Sequence, residues 1–119
     1  MRKNLTKKER MKKSDISKVF EISESIKISC IRLLYCRNEN TWNRIAVVLR
    51  KGYGNSVERN RARRVIKEIY RQMKDHLPYG YDFIFLLTDK INDYKTADMI
   101  LVSLFKKAGL LDASGKIIK

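Results

Sequence analysis

The residues able to do chemistry are concentrated in one stretch, Gly54-Asn55-Ser56-Val57-Glu58-Arg59-Asn60-Arg61-Ala62-Arg63-Arg64-Val65-Ile66-Lys67-Glu68-Ile69-Tyr70-Arg71. From Arg50 to Arg71 eight Lys and Arg stand against Glu58 and Glu68, a local charge of +6. A guanidinium grips phosphate oxygens through two parallel hydrogen bonds, so several on one helical face match the repeating charge of a folded RNA backbone. Asn60, among them, both donates and accepts, which suits a phosphate or a 2′-hydroxyl. The glycines just before it let backbone N–H groups approach an anion, and the helix N-terminus adds its own preference for negative charge. A basic face alone is usually just solvated. This one is local, helical and matched by a second cluster, seven Lys and Arg against Glu9 in the first thirteen residues. The candidates for RNA binding are Arg50, Lys51, Arg59, Asn60, Arg61, Arg63, Arg64, Lys67 and Arg71.

Other chemistries find little support. The carboxylates are scattered, with no paired Asp/Glu set to hold two metals ~4 Å apart. A single histidine, His76, gives neither a zinc cluster nor a catalytic triad. Cys30 and Cys36 lie in a segment that reads as one strand, where six residues span roughly 20 Å and forbid a bridge, so both read as reduced, cytoplasmic packing cysteines. The longest apolar run, Phe83 to Leu87, is far short of the ~18 residues of a spanning helix, and no apolar core of a secretory signal follows the basic N-terminus. No membrane partner is expected. The whole chain of 119 residues carries a net charge of +14, which favours polyanionic partners, while 44% apolar residues suffice for one buried core.

The elements that must position these groups follow from periodicity. Ser14 or Asp15 can cap a short helix with Ile16, Val19 and Phe20 on one stripe. Strands are expected over Ser29–Cys36 and Arg44–Arg50, the second with Ile45, Val47 and Leu49 on one face and Arg44, Ala46, Val48 and Arg50 on the other. A helix from about Ser56 to Asp75 buries Ala62, Val65, Ile66, Ile69, Tyr70 and Met73 and turns Asn60, Arg64, Lys67 and Arg71 outward. Tyr81 to Thr88, apolar on both parities except Asp82, reads as a central strand. Tyr94 to Lys107 reads as a last helix with Ala97, Ile100, Leu101, Leu104 and Phe105 inward. The implied organisation is a basic arm over 1–13, one domain over 14–107 and a flexible tail over 108–119. The fold class is α+β, a sandwich of a roughly four-stranded, mostly antiparallel sheet with helices on one side. The other face stays partly open, a groove edged by arginines that fits an extended nucleic-acid strand.

The order Gly-Asn-Ser-Val-x-Arg-Asn-Arg-x-Arg-Arg-x-Ile-Lys-Glu-x-Tyr-Arg, preceded by the strand Arg44-Ile45-Ala46-Val47-Val48, resembles the signature region of the bacterial ribonuclease P protein subunit. The likeness runs more loosely from Leu5 to Lys107. Gly52 stands where that family usually carries the second lysine of a pair, and its groove tyrosine falls at Leu34, with Tyr35 one residue along. The resemblance implies a ribosomal-protein-like sandwich with a left-handed βαβ crossover, where general handedness favours a right-handed one. It implies binding of a catalytic RNA and removal of the 5′ leader of precursor tRNA to leave a 5′-phosphate. Mg²⁺ held mainly by the RNA would activate the attacking water, with no catalytic residue or metal site on the protein and no protein partner required. It further implies a leader-binding groove lined by Lys12, Ile16, Phe20, Arg44 and Val48, in a cytoplasmic ribonucleoprotein. Other readings of the residues are a ribosomal or RNA-chaperone protein, a DNA-binding regulator using the Ser56 helix, and a self-sufficient nuclease.

Overall fold

The computed structural model describes residues 7–91 and 93–111. Helix α1 (Lys13–Ile22) is followed by strands β1 (Glu24–Ile28), β2 (Ile31–Arg37) and β3 (Arg44–Leu49), helix α2 (Ser56–Met73), strand β4 (Tyr81–Leu87) and helix α3 (Tyr94–Lys107), with short 3-10 turns at Lys7–Glu9 and Lys74–His76. The sheet order is β1-β2-β4-β3. Only β3 and β4 run parallel, joined by α2 as the crossover. The other two pairs are antiparallel.

β4 is central and buried along nearly its whole length, as its two-sided apolar pattern requires. The face bearing Ile45 and Leu49 packs with Leu33, Phe83 and Phe85 under α2 and α3. Phe105 meets Phe83 and Phe85 edge-on at 5.1 and 5.9 Å, a geometry in which ring edges face ring quadrupoles. The parity expected for β3 is therefore the observed one, and α2 buries the expected stripe with Val65 at its margin.

Four expectations shift. The apolar segment before Arg37 is a hairpin, with β1 as an edge strand of its own and Ser29 and Cys30 as its two-residue turn. Ser29 takes φ +54°, a left-handed conformation that neither glycine nor asparagine advertises in the sequence. Cys30 therefore sits in a turn and Cys36 in β2, both as free thiols. The cap of α1 lies at Lys12, whose backbone N–H donates to Asp15 Oδ2 at 3.2 Å, so Asp15 is a first-turn carboxylate. Only α2 and α3 share one face of the sheet. α1 lies on the other, where Val19 is buried with Leu34, Ala46 and Ile84.

The fourth shift is at the C-terminus. Ala108–Leu111, assigned by periodicity to the tail, belongs to the domain. Gly109 takes φ +78°, its N–H donates to Lys106 O (3.0 Å), and the Leu110 N–H donates to Phe105 O (2.9 Å). This pair of bonds closes α3 in a Schellman turn and drives Leu110 and Leu111 into the core. The last eight residues, 112–119, and the first six of the basic arm lie outside the described residues. Leu110→Ala should lower stability by about 2–4 kcal/mol in urea unfolding; an unchanged midpoint would mean that the segment is only draped on the surface.

Candidate nucleic-acid interface

Helix α2 begins at a reciprocal cap. Glu58 N–H donates to Asn55 Oδ1 at 2.9 Å, and Asn55 N–H donates to Glu58 Oε1 at 3.2 Å. Lys90 Nζ adds a 2.8 Å bond to Glu58 Oε2. The Lys90 bond and the Asn55 N–H together hold the Glu58 carboxyl below its ordinary pKa. Gly54 makes this possible, since a Cβ there would stand 2.7 Å from Glu58 Oε1. The loop glycines thus serve a turn and a cap rather than an open cradle for phosphate: Gly52 takes φ +81° and the Glu58 carboxylate already occupies the helix start. Tyr53 is buried, its hydroxyl accepting from the Ile91 N–H.

Beyond the cap the basic side chains divide by their angle around the helix. Asn60, Arg61 and Arg64 are exposed, as are Arg50 and Lys51 before the helix. Arg59, Arg63, Lys67 and Arg71 are partly covered. Arg71 is ion-paired with Glu68, which occupies part of its guanidinium. Burial first, and then the charges of Arg10 and Arg63, push the Lys67 ammonium below its ordinary pKa. Arg61 lies on the other flank, over a small cavity shared with Tyr53, Lys90 and Asp93. The outward row read from the sequence is therefore a broad basic surface with an exposed centre at Asn60 and Arg64.

The second candidate surface is the sheet face opposite α2. Its first rung, Cys36, Asp82 and Arg44, is polar. Asp82 is 4% exposed, and Arg44 from the neighbouring parallel strand grips it twice, Nε to Oδ1 at 2.9 Å and Nη2 to Oδ2 at 2.7 Å. Asn38 Nδ2 supplies a third bond at 2.8 Å. Arg44 Nη1 reaches on to Asp15 Oδ2 of α1 at 3.2 Å. Hydrogen bonding to Asp82 raises the guanidinium pKa further, against the opposing effect of burial. Arg44, expected to hold the leader, is thus engaged as a clamp between β3, β4 and α1.

Over the next rung, Leu34, Ile84 and Ala46, lies α1. The rung after that, Lys27, Arg32, Leu86 and Val48, is only half-buried or exposed, with exposed Arg50 just beyond β3. Ile16 packs beside this strip and Phe20, one turn further, is 42% exposed. Of the residues expected to line a leader groove, Ile16 and Val48 lie together at this strip, Phe20 is on the next turn of α1, and Lys12 is exposed at the helix start. Tyr35 pairs with Phe83 on the helix-bearing parity, so the open face receives Leu34 and no aromatic from β2. Lys27 is missed in the sequence because β1 is, whereas Arg32 lies inside the expected Ser29–Cys36 strand, whose two faces are not assigned from the sequence. On the other flank of α1 a cavity of about 470 Å³ is lined by Lys18, Ile22, Arg37 and Asn38, among others.

The family model for Ribonuclease P matches residues 5–109. The chain belongs to the ribonuclease P protein component family. A ribonuclease P protein component from Clostridium botulinum (strain Langeland) is 35% identical over 102 residues, covering 83% of this chain and 92% of that protein. Another, from Petrotoga mobilis, is 41% identical over 81 residues, covering 67% and 69%. Among solved structures, an RNase P protein from Staphylococcus aureus has TM-score 0.78 at 23% identity, covering 86% of this chain and 96% of that one. The RNase P protein from Thermotoga maritima has TM-score 0.74 at 23% identity, covering 83% and 96%. Those two likenesses establish the shared fold, a four-stranded mixed sheet with three helices. Members of the family are protein components of a ribonuclease that works with a ribonuclease P RNA. Among the described residues no helix is long and apolar enough to cross a membrane.

Two outcomes follow for the groups that position these surfaces. Asp82→Ala should cost about 2–3 kcal/mol in urea unfolding, below the full penalty for a buried pair because Arg44 is partly exposed. Gly54→Ala should displace Glu58 from the cap and lower the melting temperature. Glu58's pKa is depressed in the fold, so its contribution is present above the unfolded value and is lost as pH falls through the folded one. The Gly54→Ala difference should accordingly shrink in acid; a difference independent of pH would contradict the cap.

Proposed function

We propose that this chain is the protein subunit of a ribonuclease P, with α2 docking on the catalytic RNA and the open sheet face holding the single-stranded 5′ leader of precursor tRNA. The observation that carries the reading is the pairing, in one member of this family, of an exposed basic surface around Asn60 and Arg64 with a groove on the opposite side of the sheet. A convex surface of guanidinium groups suits a folded RNA backbone. A shallow apolar strip between Ile16, Phe20, Val48 and Leu86, bordered by Lys27, Arg32 and Arg50, suits an extended strand whose bases lie on side chains and whose phosphates meet cations. Lys12, exposed at the start of α1, adds charge at the groove's end. Arg44 contributes by fixing α1.

On this reading the protein acts by positioning. Binding the leader and the catalytic RNA at once converts their encounter into a held geometry, and the added positive charge lowers the repulsion between two polyanions. Hydrolysis breaks the bond on the 5′ side of the mature tRNA's first phosphate and leaves that phosphate on the tRNA. Among the described residues no three His, Cys, Asp or Glu side chains gather as a metal-holding group. The reading assigns Mg²⁺ mainly to the RNA, whose phosphate oxygens suit a hard cation that keeps several of its waters.

The test is cleavage of precursor tRNA by ribonuclease P RNA at low Mg²⁺, with and without the purified protein. Stimulation by protein, and no cleavage by protein alone, is the expected result; cleavage by protein and Mg²⁺ without RNA would overturn it. An RNA chaperone without a processing role would bind both RNAs but leave the cleavage rate unchanged. Arg64→Ala should weaken association with the RNA subunit by about 1–3 kcal/mol. Phe20→Ala should reduce the preference for leader-bearing over mature tRNA more than it reduces affinity for the RNA subunit, as read by competition binding; equal losses would point to a folding defect.

A further inference from the structure

The segment Lys7–Met11 is docked rather than trailing. Met11 N–H donates to Ile45 O at 3.1 Å, and Arg10 forms a parallel bridge with Ile45 on the outer edge of β3. Glu9 Oε2 pairs with Lys74 Nζ, just past α2, at 3.2 Å. From the other side Trp42 holds the preceding residue, its indole N–H donating to Lys8 O at 3.2 Å while the Lys8 ammonium lies 4.8 Å from the ring centroid. Arg63 and Lys67 stand one turn apart on one flank of α2, and Lys74 lies about two turns beyond Lys67 on the same flank, in the helix's 3-10 extension, so Glu9 beside Lys74 brings Arg10 to the flank that carries them. Arg10 and Arg63 are the two charges that act on Lys67. None of Arg10, Arg63 and Lys67 makes an ion pair among the described residues. Arg63 and Lys67 thus share one flank of α2 with the docked arm that carries Arg10, and none of the three has an ion-pair partner among the described residues, so a phosphate entering there would relieve their mutual repulsion.

We propose that the arm and α2 together form one phosphate clamp, in which Arg10, Arg63 and Lys67 grip a single phosphate of the partner RNA, and that Glu9, Lys74 and Trp42 are positioning residues that set Arg10 in place for it. The clamp rests on the RNA-binding reading above and deepens it. It extends the RNA surface from the helix onto the arm, and makes residues that touch no RNA control the affinity. The arm packs on the outer edge of β3, outside the sheet's own ladder, so removing one of its contacts should release Arg10 without unfolding the sheet.

The full chain is titrated with ribonuclease P RNA over a series of KCl concentrations, as wild type and as Arg10→Ala, Glu9→Gln and Trp42→Leu. Arg10→Ala should lower affinity roughly tenfold and reduce the slope of log K against log salt by about 0.9, the loss of one phosphate contact. Glu9→Gln and Trp42→Leu should each lower affinity several-fold, and Arg10→Ala should have much less effect in the Glu9→Gln background than alone, a coupling that a purely structural role would not produce. Arg10→Lys should recover part of the loss. If wild type fails to bind the RNA, the RNA-binding reading fails and the clamp with it. If wild type binds and Arg10→Ala binds with the same affinity and salt slope, the clamp is overturned while that reading stands. Should Glu9→Gln or Trp42→Leu melt early, the result with Arg10→Ala, at an exposed arm position, decides.

Discussion

A buried carboxylate organises this molecule. Asp82 opens the central strand, where a charge taken from water is tolerated only with full compensation. Arg44 provides it because the parallel register of β3 and β4 sets the two residues side by side. The planar guanidinium has donors left over, and one of them catches Asp15. A bond within the sheet thereby becomes a bond between the sheet and α1. The position of α1 over Leu34, Ala46 and Ile84 follows, and with it the division of the open face into a strip beside Ile16 and Phe20 and a cavity beside Lys18 and Ile22. The same carboxylate takes the Asn38 amide, which anchors the start of the β2–β3 loop carrying Trp42.

What the sequence made legible were features written in one element at a time. The helical stripe from Ala62 to Met73, the alternation in Arg44–Leu49 and the double-sided burial of Tyr81–Leu87 each follow from a period, and each is found. Features that need two distant segments were not legible. Arg44 looks like a free phosphate ligand until Asp82 is placed beside it. Gly54 looks like a phosphate loop until the Glu58 side chain fills its space. β1 was lost because its turn residues, Ser29 and Cys30, carry no turn signature and the apolar pattern runs through them. In Gly109-Leu110-Leu111 a local signal was present, a glycine after a periodic helix followed by two leucines, and it outweighs the weak periodicity of the tail.

The distribution of charge acquires a structural meaning from these corrections. An excess of +14 works against a compact chain unless its cations are spread or matched. Here some are matched internally: Arg44 by Asp82 and Asp15, Arg71 by Glu68, Lys74 by Glu9 and Lys90 by Glu58. Apart from Arg71–Glu68, which lies within α2, those pairs fix one segment to another. The basic side chains around Asn60 and Arg64, and those bordering the groove, remain turned outward on two different sides of the sheet. Structural and interactive cations are thus separable by partner, not by residue type.

The central claim is that two surfaces serve two RNAs. A photoreactive benzophenone side chain, placed at position 20 in one variant and at position 64 in another, tests it in the assembled complex of protein, ribonuclease P RNA and precursor tRNA. The account predicts cross-links from position 20 to the 5′ leader and from position 64 to ribonuclease P RNA. Cross-links from both positions to the same RNA, or the reverse assignment, would contradict it.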